Sequence, residues 1–487
     1  MQNETNTIRF WPVMLAIFFG SFLSILGISS INIALPVLMN EFSSDLGTVQ
    51  WVLTGFMLSL GVVAPLTGYL GDRFGYKKVY LYAMAGFVVF SLLCALSWNM
   101  SSLIAFRIAQ GAFSGLVLPA TMTIIFQVMP MDKRAFAMSI WGLSATLAPA
   151  FGPTISGWLI DHYSWPWLFF FNIPIGVVAI LFIQWMIPDY RVSTGKPLDK
   201  SGLAAVILSS ASLLLALSEG REWGWTSGRT LGLLAAGVVL LALFIVRELK
   251  ARHPLLNLRV FGNGRFSVTL VSSTIITISL YSGTLLVPLF LQNVQAVTPL
   301  DAGIIMLPAS LIMALAMPLA GKLYPAIGPR WMVVGGIVLI LVGSYEMTRL
   351  QPDTSYLFVI LWMAVRNIGV SMAYTAASTA GMEEIPPELT GHASSVSNWV
   401  RNVGGSFAIA LFTSLLISHA SRHAGELAAG GRQTGAAGLA YTMSVNDVFM
   451  AATVIAAIAL PFGLLAGKKR QLKAAPAAAA GAQEQTA

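Results

Sequence analysis

The chain has 487 residues, 56% of them hydrophobic and only 10% charged, against roughly a quarter charged in a soluble domain. That balance excludes a soluble enzyme and predicts a membrane protein with room for a dozen or more spans of about 20 residues. The net charge of +8 does not point to nucleic acid, because most lysines and arginines fall in alternate loops, and the single Cys94 excludes an intramolecular disulfide.

By the positive-inside rule the basic loops are cytoplasmic, and both termini lie with them. Only the acidic stretch around Glu383, Glu384 and Glu388 breaks the pattern, since it belongs to that side and carries no base. Fourteen apolar runs are predicted as transmembrane helices. The first eight cover 11–35, 48–70, 78–98, 101–128, 137–160, 167–187, 201–219 and 230–248. The rest cover 266–291, 301–323, 331–349, 355–380, 393–417 and 446–467. The first run, from Trp11 to Ile33, is too long for a cleavable signal core and lacks a small-residue cleavage pattern. It ends in LGISSINIALP, Leu26 to Pro36.

Between the second and third runs lies GYLGDRFGYKKVY, Gly68 to Tyr80, where Asp72, Arg73, Lys77 and Lys78 are set among Gly68, Gly71 and Gly75. So short a basic loop makes the two spans antiparallel neighbours, and the glycines allow a tight turn and close approach of another helix. Charge alone would fit a loop that only sets orientation. The glycine spacing asks for more. Gly68, Leu70, Asp72, Arg73, Gly75 and Lys77 resemble the signature loop of the major facilitator superfamily, with Tyr76 where that family usually has a base. The resemblance implies a gating role for these residues. Asp72 is expected to sit against the amino end of the thirteenth helix, near Gly391, where an acid is favoured by the helix dipole.

The resemblance extends along the chain. In the first run Asn32, Ala34, Leu35 and Pro36 match fourteen-span drug:proton antiporters, but Gly27 holds the place of an acid that the family uses for protons or cationic drugs. In the fourth run Arg107, Gln110, Gly111 and Gly115 match a buried-arginine motif. A guanidinium in hydrocarbon costs at least about 2.5–3.5 kcal/mol, so Arg107 should face the interior, either for transport or to tie carbonyls of the first span. Asp132, in the next loop, is a candidate partner for Arg73 and Lys77. In the fifth run Gly152, Pro153, Ser156 and Gly157 resemble the GPxxGG motif of antiporters, with Ser156 in place of a glycine. Gly152 and Gly157 are accordingly expected to be contact surfaces between the halves. SWPWLFFFNIPIG, Ser164 to Gly176, and HPLLNLRVFGNGRF, His253 to Phe266, resemble further junctions of the fourteen-span family.

GKLYPAIGPR, Gly321 to Arg330, repeats the spacing of Gly68 to Lys77 after the tenth run, with Pro325 and Ala326 in place of the acid and the first base. The repeat predicts an all-α integral membrane protein of fourteen helices in two pseudo-symmetric six-helix halves, residues 1–190 and 265–470. Two inserted helices and their linkers occupy 191–264, and 471–487 form a low-complexity tail. Paired halves of this kind suit a transporter that rocks about a central site.

Arg366 and Arg401 add two bases inside apolar runs, whereas the only acids there are Glu219 and Glu346, near the outer ends. Glu346 either pairs with Arg349 or serves in coupling. A centre holding Arg107, Arg366 and Arg401 without a carboxylate would favour neutral or anionic cargo, unless the arginines are satisfied by carbonyls and never face the cavity. His419 and His423 have ligand-like i, i+4 spacing, but no cysteine or carboxylate pair near them in sequence completes a metal site. No nucleotide-binding loop or catalytic triad is visible, so no cofactor is expected and the proton gradient is the energy source. The expectation is a secondary exporter of small amphipathic substrates in the plasma membrane, for which 21 Met and 27 Phe supply apolar lining. An exporter of one lipid, siderophore or metabolite would carry the same motifs; a sensor or membrane enzyme would need polar clusters or a soluble domain. Oligomeric state is not legible here.

Overall fold

The computed structural model describes residues 10–189, 199–251, 254–430 and 436–467, and every regular element among them is helical. Helices satisfy their own backbone polar groups, which hydrocarbon cannot do for them. The first apolar run is α1 (Phe10–Ser29) with α2 (Ile31–Glu41); the second is α3 (Leu46–Val63) with α4 (Leu66–Phe74), bent by 57° where Pro65 removes a backbone donor. Then come α5 (Tyr76–Ala95), α6 (Met100–Val128), α7 (Met131–His162), and α8 (Trp167–Phe170) with α9 (Asn172–Met186). The paired helices α10 (Lys200–Trp223) and α11 (Gly228–Lys250) follow. The last six are α12 (Gly264–Asn293), α13 (Pro299–Ile327), α14 (Pro329–Glu346), α15 (Tyr356–Glu383), α16 (Thr390–Ala429) and α17 (Ala436–Leu465).

Local sequence sets these boundaries. Asn99 and Ser102 form a reciprocal capping box at the start of α6, and Asp45, Asn263, Thr298 and Ser355 each accept a first-turn N–H. Gly75 and Gly328 both turn the chain with φ near +88° and +85°, a conformation open to glycine, between α4 and α5 and between α13 and α14. The two copies of the sequence repeat therefore share one backbone turn, although only the first carries an acid.

Among the described residues, twelve helices are long and apolar enough to cross a membrane, thirteen when the bent α3–α4 pair counts as one span. The 32-residue α7 is outside that number. Residues 1–9, 190–198, 252–253, 431–435 and 468–487 lie outside the described residues, and with them most of the first linker, His253 and the expected tail. The side chains of Asn32 and Pro153 lie outside them too.

Two sets of contacts join the sequence before the α10–α11 pair to the sequence after it: α13 packs on α7, and α16 packs on α4 and α6. At that junction the largest apolar core mixes Tyr76, Val79 and Ile125 with Phe266, Met382, Ala393 and Val396. Helix α10 packs against both α3 and α16; Trp399 donates to Ser210 Oγ and Trp225 to Ser414 Oγ, each at 2.8 Å. At the foot of the pair Arg247 donates to both oxygens of Asp199, which also caps α10. That pairing holds the Asp199 carboxyl at about 2, below its ordinary range.

Candidate gate and transport site

The charged loop folds back on a helix from the far end of the sequence. Asp72 sits in the last turn of α4, buried to 8% exposure, with Oδ2 3.2 Å from Nε2 of His392 in the first turn of α16. Its other oxygen lies 3.2 Å from the hydroxyl of Tyr76, which is also 3.1 Å from the Gly68 carbonyl. The expected contact of Asp72 with the start of this helix is present, and His392 supplies a donor that sequence reasoning had not named. Tyr76, the departure from the usual base, provides a neutral hydroxyl to the same carboxylate. Its ring fits because two glycines make room: a Cβ on Gly71 would lie 2.0 Å from the ring, and one on Gly391 1.5 Å from the hydroxyl. Gly68 likewise admits α16, with His392 Nδ1 3.0 Å from where its Cβ would be.

The other loop charges do different work. Arg73 is exposed and donates to the Tyr69 hydroxyl at 2.6 Å. Asp132 is exposed at the start of α7, and among the described residues no ion pair joins it to Arg73 or Lys77. The expected partnership is therefore not formed in this structure, and Arg73 is held by Tyr69 instead. The acidic stretch that broke the charge pattern is compensated locally. Glu384 pairs with Arg265 at 2.6 Å, and Tyr324 donates to Glu383 at 3.0 Å.

The three intramembrane arginines part company. Arg107, 1% exposed, donates to the carbonyls of Val52 and Gly27 at 3.0 and 2.9 Å and to Gln110 Oε1 at 2.8 Å, and lies over the Phe56 ring at 4.1 Å. Hydrogen bonds to a charged group contribute about 1.5–3 kcal/mol each, so three offset the insertion cost without a carboxylate. Gly111 and Gly115 let α6 approach α3 closely enough for this; a Cβ on either would fall 2.3 Å from a carbonyl oxygen, of Phe56 or of Leu60. Arg366 is fully buried in the same way, with Ser344 and Ser282 hydroxyls at 3.1 Å and the Ser279 carbonyl as acceptors. Neither lines the polar cavity beside α16.

Arg401 does. It donates to the Tyr374 hydroxyl at 2.6 Å and to Asn398 Oδ1, and its guanidinium lies over the Trp141 ring of α7 at 5.2 Å. With Tyr374, Asn398, Thr277, Ser273 and Met122 it lines a small polar cavity of about 30 Å³, whose wall also includes Phe266 and Met382 of the largest apolar core. Of the three arginines expected in the centre, only Arg401 lines this cavity, while Arg366 keeps one buried nitrogen, Nη1, without a partner.

The family profile of the Major Facilitator Superfamily matches residues 17–409. The chain belongs to the major facilitator superfamily. Among similar proteins, the tetracenomycin C resistance and export protein of Streptomyces glaucescens is 32% identical, over 84% of this chain and 76% of that one. The lincomycin resistance protein LmrB of Listeria monocytogenes is 30% identical, over 85% of this chain and 89% of that one. The crystal structure of the human organic anion transporter MFSD10 superposes with a TM-score of 0.63 at 14% identity, over 92% of this chain and 99% of that one, which shows the fold.

In this superfamily transporter the fifth-run expectation also needs correction. A Cβ on Gly157 would meet nothing within 4 Å, so Gly157 is no contact surface. The contacts of α7 with α13 fall earlier: Gly321 beside Ala135 and Ser139, Gly142 beside Met317, and Thr146 3.5 Å from the Met317 sulfur. Gly152 is buried. Glu346 lies at the end of α14, 3.4 Å from Arg349 and away from the cavity. The residues that line the cavity beside Arg401, Tyr374 and Asn398, gave no signal beyond polar character in an apolar run.

Proposed function

We propose that this transporter is a proton-driven exporter of small amphipathic drugs that works by alternating access in the plasma membrane, with both termini cytoplasmic. We propose fourteen spans, α7 being the one outside the composition-based number. At 1.5 Å per residue its 32 residues reach about 48 Å, more than the roughly 30 Å of hydrocarbon, and it packs on α1 and α13. The halves are 1–190 and 265–470, and 191–264 carries the inserted pair.

The observation that carries the reading is the junction itself. Asp72 and Tyr76 from one half close on His392 and Gly391 from the other, and the cavity beside Arg401 shares Phe266 and Met382 with the apolar core that holds Tyr76. A closed end beside a polar cavity between halves is what one state of a rocking transporter requires. Two relatives named for resistance to lincomycin and to tetracenomycin C support drug cargo. The carboxylate-free cavity around Arg401 supports a preference for neutral or anionic amphiphiles over permanent cations. The test is a resistance panel in cells stripped of their own exporters. Raised tolerance to several unrelated neutral antibiotics is expected, and no change for any compound would defeat the drug-export reading.

A further inference from the structure

The end of the bundle opposite the Asp72 contact holds a second ionisable cluster that the sequence had left as two isolated histidines. Helix α17 begins at Ala436, ten residues before the predicted apolar run, and so carries Asp447 inside the helix and alongside the last turns of α16. His423 is buried to 7% exposure between two carboxylates: its Nε2 lies 2.8 Å from Asp447 Oδ2 and its Nδ1 3.1 Å from Glu426 Oε2. His419 Nδ1 lies 2.9 Å from the same Asp447 oxygen. Arg422 approaches Asp447 at 3.3 Å and Glu426 at 3.7 Å.

A neutral imidazole has one N–H and one bare lone pair, and an ionised carboxylate only accepts. A ring with an acceptor oxygen at each nitrogen is therefore satisfied only when one further proton is present, on the ring or on a carboxylate. With that proton on His423, the charges of His423 and Arg422 balance those of Asp447 and Glu426. Without it a buried lone pair faces a carboxylate and the cluster is left negative. The groups facing His423 are Glu426, Arg422 and His419 from its own helix and Asp447 from α17; among the described residues no charged group of a third element pairs with them. Glu426 and Asp447 are more exposed than the ring, with side chains 59% and 36% accessible, so a proton can pass between water and the buried nitrogens. Among the described residues no group of three or more such side chains is arranged to hold a metal.

We propose that His423, Asp447 and Glu426 form the site at which the driving proton is bound on the side opposite the Asp72 contact. The proposal rests on the exporter reading and gives the chain a proton site that its first span, with Gly27 in place of an acid, does not offer. Binding joins a proton to one ring nitrogen and breaks no other bond. The same continuous α16 carries His392, 31 residues away or about 46 Å along the helix, so the site and the gate share one rigid element.

The experiment has a spectroscopic arm and a transport arm. In protein reconstituted with ¹⁵N-labelled histidine, His423, assigned by the signal lost in His423→Gln, should show both ring N–H groups at pH 7 and lose one in Asp447→Asn. A neutral His423 at pH 6 would overturn the proposal. In proteoliposomes, uptake of the neutral probe chloramphenicol driven by a pH gradient is compared with its counterflow at equal pH. The ratio of the two should fall tenfold or more in His423→Gln, and the dependence on pH at the His423 side should flatten. A ratio and pH profile equal to wild type would overturn the site while leaving the exporter reading intact. Absence of both modes in wild type, across neutral and anionic probes, would instead defeat the exporter reading, and the histidine spectrum would still decide the site.

Discussion

Asp72 and the three intramembrane arginines show what single side chains do in this protein and where the sequence stops informing. The carboxylate of Asp72 faces two donors, His392 and Tyr76, in a buried setting. Losing one charge-assisted bond there costs about 1.5–3 kcal/mol, a roughly tenfold to hundredfold shift away from the closed junction. Asp72→Asn should therefore cut drug efflux at least tenfold with membrane expression unchanged, as measured by antibiotic accumulation and immunoblot; undiminished efflux would reduce the loop to a topology signal. The loop was legible because its glycines and charges are sequence. The fate of the arginines was not, because Arg107 and Arg366 bind the carbonyls of Gly27, Val52 and Ser279, and a carbonyl has no sequence identity. Gly27 makes this testable. A Cβ there would lie 3.4 Å from Phe87, an ordinary contact, and the Gly27 carbonyl already touches Arg107. Gly27→Asp should add a carboxylate beside that guanidinium and, because Arg107 does not line the cavity beside Arg401, leave the ratio of ethidium to chloramphenicol export unchanged; a severalfold rise for ethidium would bring Arg107 into the cargo path.

Helices follow the apolar runs closely, since a span must be long, apolar and self-bonded; all fourteen runs coincide with a helix or a helix pair. What periodicity cannot supply is the face that a glycine presents. Gly157 and Gly142 lie on one helix with similar neighbours, yet only Gly142 meets α13. Gly391→Ala, whose methyl would overlap the Tyr76 hydroxyl, should abolish efflux, whereas Gly157→Ala should retain at least half; the reverse order in a growth assay would contradict the assigned junction. The α10–α11 pair yields a pH expectation. Because the folded carboxyl of Asp199 is depressed to about 2, its pairing with Arg247 is complete above the ordinary carboxylate range and fails only as pH falls through about 2. Titration of Asp199 itself should thus leave no inflection in the pH profile of efflux between pH 5 and 8, and an inflection there that Asp199→Asn abolishes would contradict this. Any pH dependence in that window belongs to other groups, among them the buried carboxyl of Glu248 on α11 and the His423 cluster.

At the scale of the molecule, the helices before and after the α10–α11 pair meet through α4, α6 and α16 and through α7, α13 and α15, and the cavity beside Arg401 is lined by residues of α12, α15 and α16 with Met122 of α6. A permanent cation held about 6 Å from Arg401 would meet a repulsion of roughly 3 kcal/mol at an effective dielectric near 20, on the order of a hundredfold in affinity. The cavity offers no carboxylate to offset it. The central claim, an exporter driven by protons that favours uncharged cargo, is tested most directly in inverted membrane vesicles with the interior acidified. Chloramphenicol should accumulate, ethidium should accumulate far less, and collapse of the pH gradient by nigericin should abolish the uptake. Ethidium accumulation equal to or above that of chloramphenicol, or uptake indifferent to nigericin, would contradict the account.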